Sequence, residues 1–116
     1  MGSRGTGEFG NYKSTAVEDL CDREIKNESL EDVSRLDYFQ KINRVPDIMD
    51  EIRVLESLHQ RRIVVQCVKT GNIIGYLPTK YSYLLSCMKR GISYVGKVEF
   101  SIDKPIPKVV VSIHAE

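Results

Sequence analysis

Cationic and aromatic side chains crowd one stretch of this chain: Arg61, Arg62, Lys69, Tyr76, Lys80, Tyr81, Tyr83, Lys89, Arg90 and Lys97 all fall between positions 61 and 97. That mixture suits single-stranded nucleic acid, which is held by a cationic groove along its backbone and by aromatic faces on which bases stack. Two side chains stand out by their neighbours. Tyr76 follows Gly75, where backbone or ligand can approach closely. Lys80 falls in the first turn of a predicted helix, whose free N–H groups and dipole favour a phosphate or a terminal oxygen. Tyr81 and Tyr94 fit core positions better, and lysines elsewhere need only solubilise.

Other chemistries find less support. A Cys–His nucleophile needs a thiolate beside an imidazole oriented by a third group, and the candidates are Cys67, Cys87, His59 and His114. Cys67 lies in an apolar strand and Cys87 beside an apolar helical stripe, so both read as buried structural thiols. No group of residues has metal-ligand spacing. Gly71, Gly75, Gly91 and Gly96 are scattered and form no phosphate-cradling loop. Glu99 and Asp103 show no pairing suited to acid–base work. The expectation is a binding module and not an enzyme, without catalytic residue, metal or cofactor.

Charge is unevenly spread along the chain. The net charge is +1, but positions 10–58 hold 12 acids and 7 bases, while positions 59–116 hold 3 acids and 9 bases. Such a split fits polyanion binding by the basic half. It fits equally an internal contact in which the halves neutralise each other. No apolar run approaches the roughly 20 residues that span a bilayer, so no membrane is expected. Met1 to Phe9 reads as a vector-like leader without an apolar signal region. Three cysteines at wide spacing argue against a disulfide framework and for a reducing compartment. The expected location is therefore intracellular, cytoplasmic in a bacterium or nuclear in a eukaryote.

The elements that must position these residues are legible to different degrees. Thr15 and Glu18 have capping-box spacing, and Val17, Leu20, Cys21 and Ile25 share a helical face, so 14–27 is predicted helical. A strand is expected near Phe39 to Val45, then a turn at Pro46-Asp47, with 48–58 open between helix and strand. Arg61 to Val68 is a β-branched run, Lys69 to Asn72 a tight turn, and Ile73 to Leu77 the second arm of a hairpin. Thr79 can cap a helix running to Arg90, with Tyr81, Leu84, Leu85 and Met88 as its apolar stripe and Gly91 ending it. Ile92 to Ile102 alternates cleanly, placing Ile92, Tyr94, Val98, Phe100 and Ile102 on one face, with a bend or bulge at Gly96. Lys108 to His114 closes the chain with Val109, Val111 and Ile113 inward. The sum is an α+β, mostly β fold: a small, partly open OB-like or SH3-like barrel with one inserted helix, preceded by an N-terminal helical segment.

The stretch Gly71-Asn72-Ile73-Ile74-Gly75-Tyr76-Leu77-Pro78 resembles the centre of the HIRAN domain, and the order of strands and helix around it follows that family over about half the chain. The resemblance implies an OB-like barrel that binds single-stranded DNA, notably at a free 3′ end, within DNA repair or processing proteins. It places the DNA-contacting aromatic on Tyr76 and the following basic position on Lys80 or Thr79. The family's Asn-rich segment and its aromatic–Asp pair have no counterpart upstream, where the chain reads Leu58-His59-Gln60-Arg61-Arg62-Ile63. The expected organisation is a leader over 1–9, a polar helical segment over 10–37 that could dock a protein, and a HIRAN-like barrel over 38–116. Its expected nucleic-acid contacts are Arg61, Arg62, Tyr76, Thr79, Lys80, Lys89 and Arg90. The rival expectation is a non-catalytic protein-interaction domain of a larger assembly.

Overall fold

The computed structural model describes residues 20–57 and 62–116. Its six strands are β1 (Ile25–Ser29), β2 (Glu51–Glu56), β3 (Ile63–Cys67), β4 (Ile73–Tyr76), β5 (Tyr94–Ile102) and β6 (Lys108–Ala115). They form one antiparallel sheet in the order β1-β6-β5-β2-β3-β4, curled into a half-barrel. Two short helices accompany it, α1 (Asp37–Ile42) and α2 (Leu84–Lys89). Ile63, Val64, Val65 and Cys67 are all buried, which explains why β3 reads as an unbroken apolar run rather than an alternation. In β6 the expected alternation holds, with Val109, Val111 and Ile113 packed into the core. Among the described residues no helix is long and apolar enough to cross a membrane.

The two edges of the sheet meet at one point. Glu31, just beyond β1, and Tyr76, the last residue of β4, exchange both backbone hydrogen bonds at 2.8 and 2.9 Å. Gly75 permits the approach: a Cβ there would sit 2.8 Å from the Leu30 Cβ and 3.0 Å from the Glu31 carbonyl oxygen. The pairing also covers edge groups that would otherwise invite another chain.

Several elements differ from the sequence expectation. Positions 14–19 of the expected N-terminal helix lie outside the described residues. Leu20 to Asp22 are helical, but Ile25–Ser29 is a strand paired with β6, and Ile25 opposite Ile113 is buried. Tertiary pairing overrides a weak local helical pattern there. The sheet and its core therefore begin before position 38, with Leu30 and Val33 buried as well. The strand expected near Phe39 to Val45 is instead α1, because Tyr38 and Ile42 at helical spacing turn to the core. Asn43 ends it in the left-handed region at φ 67°, donating its N–H to the Phe39 carbonyl. The undecided stretch after Pro46 resolves as β2. The helix expected over Thr79 to Arg90 is split into a 3-10 turn at Thr79–Tyr81 followed by α2. Thr79 makes no side-chain cap; the turn starts instead from the Tyr81 N–H donating to the Pro78 carbonyl. The C-terminal end is as expected. Gly91 is left-handed at φ 97°, with its N–H on the Met88 carbonyl and the Ile92 N–H on the Cys87 carbonyl.

β5 slips register between Val98 and Phe100, while Gly96 stays regularly paired with Ile52 and Ile113, so the irregularity falls past the glycine where it was expected. Val98 donates to the Asp50 carbonyl while its own carbonyl accepts from Met49. The slip reverses the alternation: Tyr94 and Val98 are buried, whereas Phe100 and Ile102 are 46% and 42% exposed, on the face opposite to the one expected.

The cysteines also differ. Cys21 and Cys87, 66 positions apart, are joined in a disulfide. The absence of a disulfide and the free Cys87 thiol are both overturned, because only the fold brings this pair together. Cys67 is free and buried, as expected.

Candidate nucleic-acid interface

The closure of the sheet builds the site. Tyr76 is half-buried at the end of β4, fixed by its backbone bonds to Glu31. Arg62, just before β3, lies over its ring with the guanidinium carbon 4.5 Å from the ring centroid. The same guanidinium donates to the Glu31 carboxylate at 2.7 Å and to the Leu77 carbonyl at 3.1 Å. Beside this stack opens a cleft of about 290 Å³ lined by Asp32, Arg35, Leu36, Arg62 and Tyr76. Arg35 arrives through a single 3-10 turn, Val33–Arg35, whose Arg35 N–H donates to the Asp32 carbonyl at 3.0 Å.

The remaining expected residues distribute unevenly. Thr79 shares a small hollow with Arg62, Leu77 and Pro78. Lys80 stands 3.5 Å from the Glu28 carboxylate and 5.3 Å from the centre of the Tyr81 ring, so its ammonium already has an anion. Lys89 and Arg90 sit at the C-terminal end of α2 and do not line the Tyr76 cleft. Arg90 donates to the Cys21 sulfur at 3.6 Å. Arg61 lies outside the described residues. Asp32 and Arg35 were not expected. They are separated from Tyr76 by more than forty positions, and no local signal in the polar segment marks them.

Part of the charge asymmetry is neutralised inside the domain. Arg62 pairs with Glu31, Lys80 with Glu28 and Lys69 with Asp50, at 2.7, 3.5 and 3.8 Å, each joining the basic half to the acidic half. The Tyr81 hydroxyl donates to the same Glu28 carboxylate at 2.5 Å. Burial, and then this carboxylate, pushes the Tyr81 phenol up from 10.0 to about 12. Burial raises Tyr38 and Tyr94 in the same direction, and the Tyr94 hydroxyl donates to the Cys21 carbonyl at 2.6 Å. A phenol whose folded pKa exceeds its unfolded value contributes stability that is intact below the unfolded value and lost as pH rises through the folded one. For Tyr81 that window runs from pH 10 to about 12. The urea midpoint should therefore fall across that window, and less steeply in Tyr81→Phe. A midpoint equally steep in both proteins would remove Tyr81 from the account.

The fold and its closure define a small, mostly β domain with a half-barrel sheet and, at its seam, a cleft lined by Tyr76, two arginines and Asp32. No family model, curated protein or solved structure matches the chain.

Proposed function

We propose that this domain is a HIRAN-like module that binds single-stranded nucleic acid, including DNA ends, as a non-catalytic part of a DNA repair or processing protein. The observation that carries the reading is the half-exposed Tyr76 ring in a cleft whose walls include two arginines, Arg35 and Arg62. Stacking on Tyr76 or on the Arg62 plane holds a base, and Arg35 takes the backbone phosphate. Lys80 and Lys89 contribute to the wider field rather than to the cleft.

The test is fluorescence anisotropy with single-stranded DNA at two salt concentrations. Affinity should fall steeply with salt through counterion release. Loss of a stacking aromatic costs about 1–3 kcal/mol per base, so Tyr76→Ala should weaken binding roughly 5- to 150-fold. The barrel closes through the backbone of Tyr76 and not its ring, so the far-ultraviolet circular dichroism should be unchanged. An unchanged affinity would remove Tyr76 from the site.

One observation favours a second reading as a protein-interaction domain. The β5–β6 hairpin ends in an exposed apolar group, with Ile106 73% exposed beside Phe100 and Ile102. Absence of nucleic-acid binding at low salt would favour this surface, with the acidic N-terminal segment as a further docking element.

A further inference from the structure

Resting on the nucleic-acid reading, we infer that the Tyr76 cleft selects guanine, with the Asp32 carboxylate receiving the base's Watson–Crick edge. A carboxylate in a cleft for a polyanion repels the ligand unless it finds donors there, so its presence asks for a donor-rich group. Glu28 and Glu31, the other acids along this seam, are each matched to a cation. Asp32 differs: among the described residues its carboxylate makes no ion pair and no hydrogen bond. Its position is nonetheless fixed by backbone. It follows the Glu31–Tyr76 pair directly, adopts the left-handed conformation at φ 59° that Asp tolerates, and accepts the Arg35 N–H at its own carbonyl. Asp32 is exposed to solvent, and its backbone is therefore held at the wall of the cleft that Tyr76 lines, with Arg35 beside it.

The chemistry then discriminates among bases. An ionised carboxylate only accepts hydrogen bonds, through two adjacent oxygens. Guanine alone presents two adjacent donors on its Watson–Crick edge, N1–H and the 2-amino group. Adenine and cytosine each offer one amino group next to a ring nitrogen lone pair, and thymine and uracil offer one N–H between two carbonyls. The carboxylate meets a lone pair in every case but guanine. A cleft of about 290 Å³ lies at the small end of ligand sites, which suits one base rather than a base pair.

The experiment uses labelled single strands of about ten nucleotides, a length within the usual site size. One strand is all thymine, and the others alternate thymine with guanine, adenine, cytosine or hypoxanthine. The guanine strand should bind about 5- to 150-fold tighter than the adenine strand, the discrimination of a good bidentate contact. Hypoxanthine lacks the 2-amino group, so its strand should lose part of that advantage. Asp32→Asn, which tolerates the left-handed backbone, should bring the guanine-to-adenine ratio to one or below, because its amide pairs one acceptor with one donor and so matches the adenine edge instead. Equal binding of all strands overturns the guanine assignment and leaves the nucleic-acid reading standing. Binding of none overturns both. A ratio that survives Asp32→Asn, or a hypoxanthine strand as tight as the guanine strand, overturns the role given to Asp32. The hypoxanthine comparison needs no variant, so it decides even if Asp32→Asn does not fold.

Discussion

Replacing Cys21 and Cys87 together by alanine should lower the stability of the domain by about 4 kcal/mol. The disulfide joins positions 66 apart, and in the chain-entropy account a loop of that length stabilises by about that amount through its effect on the unfolded state. The bridge encloses β1 to β4 and ties the residues before β1 to α2, so reduction frees the unfolded chain over four of the six strands, β5 and β6 lying outside the loop. Alanine is the suitable replacement because both cysteines are buried and it adds no polar group to the core. For a domain of this size 1 kcal/mol moves Tm by about 4–8 °C, so the loss should read as roughly 15–30 °C. A dithiol reductant should lower Tm of the wild-type protein towards that of the double variant and leave the variant itself unmoved. Equal Tm values for the oxidised wild type and the variant would show that the bridge contributes nothing.

That bridge also shows where the sequence stops being informative. Features set by neighbours a few positions away were legible: the Gly71 turn between β3 and β4, the left-handed Gly91 after α2, and the inward Val109, Val111 and Ile113 of β6. Features set by distant pairing were not. β1 is a strand because β6 lies beside it, and Ile25 in isolation sits equally well on a helical stripe. Phe100 and Ile102 alternate with their neighbours as expected, yet they face outward because Val98 engages both Met49 and Asp50 and slips the register. The candidate site divides in the same way. Tyr76 and Arg62 were recognisable from residue type and from the Gly75 beside Tyr76. Asp32 and Arg35 enter only when the seam closes and the 3-10 turn after Glu31 folds over it. The cation–anion pairs at Glu28 and Glu31 depend on that same closure, so the local charge at the cleft could not be read from a linear count.

Gly96→Ala should be the most damaging single substitution in the sheet, and its cause is purely local. Gly96 is paired on both sides, with Ile52 of β2 and Ile113 of β6. A Cβ at this position would lie 1.8 Å from the Ser112 carbonyl oxygen and 2.8 Å from its carbonyl carbon. Both are backbone atoms, so no rotamer change relieves the overlap, and β5 must part from β6 at the centre of the sheet. The loss should exceed about 4 kcal/mol, the exceptional range that severe overpacking against an unyielding backbone can reach. Two other glycines separate the possible causes. Gly71 has nothing within 4 Å of its would-be Cβ but a φ of 78°, so Gly71→Ala should cost only about 1–2 kcal/mol of backbone strain. Gly75→Ala would press on Leu30 and the Glu31 carbonyl, parting the seam more than the sheet. It should therefore weaken nucleic-acid binding out of proportion to its effect on stability, because Asp32 and Arg35 are placed through Glu31. Urea midpoints for the three variants, set beside their DNA affinities, resolve the cases. If Gly96→Ala retained a wild-type midpoint, the Ser112 carbonyl could not lie this close to Gly96, and the overlap would be removed as the cause.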